Sequence, residues 1–212
     1  GIEETCIVIC PGEQDAYVRA AGPFGRGLKF VEQSQPLGYG HALHSAKPFV
    51  GNEPFLHMIS DHLYLSTGGK RCAQQLGELA RSESCSVSAV QATRESMLPY
   101  YGTIGGRRKA QHKNGYEIGS GGEKTTPTHA EQKIIVPRLS AGHYLCFFGM
   151  HVLTPLVMDL LSEQIKYTPP IQLSPALSQL ASREKYLALE VAGARHNIGQ
   201  KYGLLMAQLA LA

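Results

Sequence analysis

No apolar run in these 212 residues approaches the roughly 20 needed to cross a bilayer as a helix, so no membrane partner is expected. Charge of one sign is also scarce. Lys and Arg number 20 against 17 Asp and Glu, a net charge of +3, and the basic residues are scattered, which argues against a nucleic-acid partner. Their densest cluster, Arg107, Arg108 and Lys109 beside two glycines, reads as a solvated turn. Cys6, Cys10, Cys72, Cys85 and Cys146 are odd in number and form no Cys-x-x-Cys pair, so neither a disulfide framework nor a zinc ribbon is indicated. Reduced thiols and the lack of a signal-like start fit a cytoplasmic location. Internal repeats and low-complexity tracts are missing too. The chain begins without methionine, on GIEETCIVIC, where Ile7, Val8 and Ile9 make a β-branched run closed by Pro11-Gly12.

What is present suits a globular protein: 43% hydrophobic and 17% charged residues, in a length that fits one domain over 1–212 with a substantial core. Strands over about 5–10, 28–32, 54–60 and 85–92 alternate with helices over 13–21, 39–47 and 70–82. This alternation predicts an α/β fold, a mainly parallel sheet with helices on both faces and ligands at the carboxyl ends of its strands. From about 99 to 142 the chain turns to Gly, Thr and charge, which predicts loops and short antiparallel strands. A buried run follows at 144–153, then a helix with Thr154 as N-cap and Pro155 at its first position. Ser174-Pro175 opens another helix, a strand covers 186–191, and KYGLLMAQLALA closes as a helix.

Two strand ends carry candidate chemistry. In QSQPLGYGHAL, residues 33–43, Gly38 and Gly40 stand at a strand-to-helix junction. There they let backbone approach a ligand or simply serve a tight turn with positive φ, and the helix start favours an anion. In MISDHLY, Asp61 follows an apolar strand, where a carboxylate can hold Mg²⁺, which in turn binds phosphate, or act as a turn or cap residue. His62 beside it reads as loop polarity.

Read in order, these pieces form a longer pattern. QSQPLGYGHALHSAKPFVGNEPFLHMISDHLY, GGEKT, FFGMHVLTP, PPIQLSPAL and RHNIGQKYG resemble successive landmarks of the bacterial UTP–glucose-1-phosphate uridylyltransferases, the UDP-glucose pyrophosphorylases. Nearly the whole chain is covered. The resemblance implies a Rossmann-like nucleotidyltransferase fold, UTP and a sugar-1-phosphate as partners, Mg²⁺ as cofactor, and room for a homo-oligomer. By the same resemblance Gln33 and the Gly38 backbone read the uracil edge, and Asp61 holds Mg²⁺ together with the residue at position 197. Gly102, Glu123 and Lys124 hold the sugar and its phosphate, with Lys124 the catalytic cation. The chemistry suits each residue: an amide pairs with a base edge, a carboxylate accepts sugar hydroxyls, and an ammonium is a compact phosphate ligand.

Three departures from the family pattern qualify these expectations. The family's opening strand, with its Gly-x-Gly-Thr-Arg loop and cation-supplying segment, has no counterpart here, and GIEETCIVIC resembles its second strand. The expectation is therefore an N-terminally incomplete domain with an open slot beside the Asp61 strand, or another segment filling that slot, and impaired turnover by this chain alone. Asn197 stands where the family has a second metal-binding aspartate, so Mg²⁺ affinity is expected to fall. Thr125 replaces a proline, while Pro170 and Pro175 stand where the family has acidic residues. The alternative expectation is a non-catalytic relative that binds a nucleotide or nucleotide sugar in a regulatory or structural role.

Overall fold

The computed structural model describes residues 2–109, 112, 114–124, 139, 142–167 and 169–212. The opening β-branched run forms β1 (Thr5–Ile9), which pairs in parallel with β2 (Leu28–Glu32), Thr5 opposite Leu28, through a connection containing helix α1 (Gln14–Ala21). This small sheet is set apart from the main one: no residue of α1 is buried, and in β1 only Ile9 is. After β2 come α2 (Tyr39–Ser45), α3 (Lys47–Val50), β3 (Phe55–Met58), β4 (His62–Ser66), α4 (Cys72–Glu83) and β5 (Ser86–Arg94). The Gly-rich stretch supplies β6 (Gly102–Arg108) and β7 (Gly115–Lys124), antiparallel to each other as the composition predicts. The apolar run is β8 (His143–Leu153). It leads to α5 (Leu156–Gln164), α6 (Leu173–Arg183), β9 (Tyr186–Glu190), β10 (Gly193–Asn197) and α7 (Gly203–Leu211).

The main sheet has six strands in the order β3-β8-β5-β9-β7-β6. Here the expectation of a mainly parallel sheet needs correction. β3, β5, β9 and β6 share one direction, but β8 and β7 run against them, so among the described residues β5–β9 is the only parallel ladder in this sheet and the architecture is mixed. Sequence alternation reports which segments are strands; neighbour and direction are decided by long-range pairing. The expected layering does hold. Leu43 of α2, Val157, Leu160 and Leu161 of α5 and Leu177 and Leu180 of α6 pack with Val90, Leu145 and Ala188 on one face. Cys72, Leu76, Leu79 and Ala80 of α4 pack with Val87, Ala89, Phe148 and Leu187 on the other. Each fully buried aliphatic side chain contributes about 1.5–3 kcal/mol. No helix among the described residues is long and apolar enough to cross a membrane.

Two local features differ from their sequence expectations. Thr154 does not cap α5 with its side chain: its hydroxyl and that of Ser86 both donate to Glu184, and its N–H donates to Ser86 Oγ. Strand β8 carries an irregularity. Ser88 lies opposite His151 and Val90 opposite Phe147, so the single residue Ala89 faces the three residues between. Gly149, at φ +84°, makes this possible, because only glycine enters that region without strain.

Candidate functional site

At the amino end of α2, the Gln33 amide Nε2 donates to the Gly38 carbonyl at 3.1 Å and meets His41 Nδ1 at 3.0 Å. Both glycines of the motif are required by the fold. Gly38 sits at φ +113°, and a Cβ there would lie 2.5 Å from the Ile171 carbonyl oxygen; one on Gly40 would lie 2.8 Å from the Gln172 carbonyl carbon. The Gly40 N–H donates to Ile171, whose own N–H donates to Leu37, so the segment before α6 is stitched to this turn. The close backbone approach is thus to the chain itself.

Asp61 stands three residues past the carboxyl end of β3, as expected, and immediately before β4. Strands β4 and β10 form an antiparallel ribbon that sets Asn197 opposite His62, and the Ile198 N–H donates to the Asp61 carbonyl at 2.8 Å. The two candidate metal positions, far apart in sequence, are therefore neighbours. Asn197 Oδ1 accepts the Gly199 N–H at 2.9 Å, an Asx turn that aims the residue. Asp61 Oδ1 is buried with no hydrogen-bond partner among the described residues, although the side chain as a whole is half-exposed. His62 Nε2 stands 3.8 Å from this oxygen, beyond hydrogen-bond reach. A carboxylate oxygen without a hydrogen bond, beside an amide oxygen, fits a hard cation that takes few protein ligands and completes its shell from phosphates and water. No cluster of three or more His, Cys, Asp or Glu side chains suited to a metal occurs among the described residues.

Between β6 and β7, Gly102 is paired across to Lys124, and the register slips between Gly102 and Thr103 so that Glu123 falls at the irregularity. The backbone therefore brings all three expected sugar-site residues together. Thr125 lies outside the described residues. The three parts are joined by contacts. The Tyr39 hydroxyl of α2 hydrogen-bonds His57 Nε2 of β3, and the His62 and Tyr101 rings meet edge to face at 6.4 Å, with Gly102 next in sequence.

Residues that pattern reading missed sit between these parts. Arg195 of β10 stacks its guanidinium 3.6 Å above the Tyr101 ring and donates to the Phe147 carbonyl. Burial and the Arg195 charge hold His62 below the ordinary imidazole range. His57 and His151, opposite each other on β3 and β8, stack at 5.9 Å, and burial lowers them to about 4 and about 3. A charged residue inside a short strand, GARHN, was the one available sequence signal for Arg195. A cavity of about 550 Å³ lined by His44, Ser45, Lys47, Pro48, Gly51 and Asn52 contains none of the candidate residues.

A mixed sheet with a glycine turn at the amino end of α2, an acid–amide pair and a Gly–Lys strand pair describes a nucleotidyltransferase fold. No family model matches the chain. It is 31% identical over 181 residues to UTP–glucose-1-phosphate uridylyltransferase 1 of Streptococcus pyogenes serotype M3, covering 84% of this chain and 56% of that protein. It is 30% identical over 177 residues to the UTP–glucose-1-phosphate uridylyltransferase of Staphylococcus epidermidis, with 83% and 56% covered. A UDP-glucose pyrophosphorylase solved with UDP-glucose superposes with a TM-score of 0.79 at 25% identity over 98% of this chain and 80% of that one. The UTP-bound enzyme of Acinetobacter baumannii gives 0.71 at 25% identity, covering 87% and 59%. The chain belongs to the UTP–glucose-1-phosphate uridylyltransferase family, the UDP-glucose pyrophosphorylases. It spans about half the length of the curated relatives it matches.

Proposed function

We propose that residues 1–212 act as a single sugar-1-phosphate uridylyltransferase domain, working on UTP and glucose-1-phosphate. The observation that carries this reading is the placement of Asp61, whose buried Oδ1 accepts no hydrogen bond, next to Asn197 at one end of the β4–β10 ribbon. In the reaction a phosphate oxygen of glucose-1-phosphate attacks the α-phosphorus of UTP. The new P–O bond forms as the bond to the β-phosphate oxygen breaks, and pyrophosphate leaves.

Gln33 Oε1 and the Gly38 N–H supply an acceptor and a donor that match the N3–H and a carbonyl of uracil. The Gly38 carbonyl fixes the Gln33 amide in place beforehand, so little side-chain freedom is lost on binding. Glu123 accepts sugar hydroxyls. Lys124, across from Gly102, neutralises phosphate charge as it develops. Asp61 and Asn197 would hold Mg²⁺, which when bound neutralises phosphate charge. Asn197 offers oxygen without charge, so half-saturation should need more metal than a pair of aspartates would.

Calorimetry with UTP and ATP, each with Mg²⁺, tests the assignment. UTP should bind more tightly, and Gln33→Ala should erase most of the difference. Equal affinities unaffected by that substitution would remove the base-reading role, and with it the uridylyl specificity.

A further inference from the structure

The irregularity in β8 falls between Phe147 and His151. Two carbonyls there, on Phe147 at its edge and Gly149 within it, are claimed by the ribbon: Arg195 donates to Phe147, and the Tyr64 hydroxyl donates to Gly149 at 2.6 Å. Arg195 and Tyr64 are themselves directly opposed in the β4–β10 ladder. The Gly149 carbonyl also accepts the N–H of Ile59, the residue that follows β3. One paired position of the ribbon is therefore pinned to one irregular point of the main sheet. Asp61 and Asn197 lie two to three residues further along the same two strands.

Arg195 is an unusual choice for a pin. Among the residues whose side chains are described, no carboxylate forms an ion pair with it, and its Nε is buried without a hydrogen-bond partner. Burial works against its charge. A buried guanidinium without an acid is costly, and the fold compensates with the Tyr101 ring at 3.6 Å, the Phe148 ring at 5.9 Å and the Phe147 carbonyl. Stacking and hydrogen bonding at the same time requires a flat, multi-donor cation, which lysine does not supply. The far side of this contact is Tyr101, whose next residue is Gly102.

We infer that Arg195 is a positioning residue that locks the ribbon carrying Asp61 and Asn197 against β8 and Tyr101, so that the metal end and the sugar end of the site keep one spacing. This rests on the proposed function for its consequence, but not for its geometry. The phosphate of the sugar and the metal must meet within a few tenths of an ångström for transfer. A ribbon free to rock on β8 would bind each half-ligand and lose their cooperation.

The test uses the 212-residue chain with Arg195→Met, Arg195→Lys and Tyr101→Phe. Hydrogen exchange read by mass spectrometry needs no ligand. Arg195→Met should speed exchange about tenfold or more in peptides covering 59–66 and 193–199, including the Ile198 amide, while the peptides of α6 and β9 stay as in the parent. Tyr101→Phe keeps the stacked ring but removes the hydroxyl that also interacts with the guanidinium, so it and Arg195→Lys should both fall between the parent and Arg195→Met. UDP and UDP-glucose binding with and without Mg²⁺ then reads the site. Arg195→Met should bind UDP within about twofold of the parent and lose the extra affinity that Mg²⁺ and glucose together confer. A role in stability alone would weaken all ligands in the same proportion and would overturn the inference. So would unchanged exchange at 193–199, whatever the ligands do. Should Arg195→Met fail to fold, Arg195→Lys with parental exchange and parental Mg²⁺–glucose coupling would refute it equally. A parent chain that binds neither UDP nor UDP-glucose would refute the proposed function and the site role together. The exchange result would then report only on the anchoring.

Discussion

Gly199→Ala offers a direct probe of the acid–amide pair because the three atoms nearest the new one all belong to Asp61. A Cβ at position 199 would lie 2.5 Å from Asp61 Oδ2 and 3.2 Å from its Cβ and Cγ. Ordinary contact begins at about 3.5 Å, so the carboxylate has to swing by about 1 Å. It can do so, since the side chain is half-exposed and its Oδ1 has no hydrogen bond to surrender. The cost to folding should therefore be about 1 kcal/mol or less, a Tm loss of roughly 2–4 °C for a chain of this size. The cost to metal binding should be larger. Disturbing groups that merely orient a ligand costs about 10–100-fold in metal affinity, and here the ligand itself is displaced. The assay is the Mg²⁺ concentration that half-saturates UDP-glucose binding, measured beside a thermal melt. Gly69→Ala, where a Cβ would meet nothing within 4 Å, serves as control. A tenfold or greater rise in half-saturating Mg²⁺ for Gly199→Ala, with the melt nearly unchanged, is the expected pair of results. An unchanged Mg²⁺ requirement in a folded variant would show that Asp61 is not a metal ligand.

Asn197→Asp should lower half-saturating Mg²⁺, because the carboxylate adds charge while still accepting the Gly199 N–H; no change on metal titration would place the ion elsewhere. Gly38→Ala should destabilise the fold by about 2 kcal/mol or more, since φ of +113° and a 2.5 Å approach to the Ile171 oxygen act together; a parental urea midpoint would contradict this. Acid should weaken the protein through His57 and His151. The folded chain holds them near 4 and 3, so from about pH 6.5 downward the unfolded chain binds protons that the folded chain refuses, and stability falls. The loss between pH 7 and pH 5 should be on the order of 3 kcal/mol. Urea titrations at the two pH values measure it, and a stability that rises toward pH 5 would refute the burial of these rings as neutral groups.

Much of this protein is legible in its residues. The β-branched run at Ile7–Ile9 and the turn at Pro11-Gly12 fix β1 to within a residue of its observed end. The order of QSQPLGYGHAL, MISDHLY, GGEKT and RHNIGQKYG pointed to the family that the comparisons show. Helices and strands announce themselves because periodicity and turn chemistry are local. Other features depend on partners distant in the chain. The direction of β8, the pairing of β4 with β10, the need for Gly40 beside Gln172 and the diversion of the Thr154 hydroxyl to Glu184 all belong to this group. The site divides the same way: sequence names Gln33, Gly38, Asp61, Gly102, Glu123, Lys124 and Asn197 one at a time, whereas only the tertiary structure sets Asn197 beside Asp61 and Arg195 upon Tyr101. A strand pattern fixes which residues alternate, but a hydrogen-bond ladder and a buried cation have energy only once their distant partners are in place.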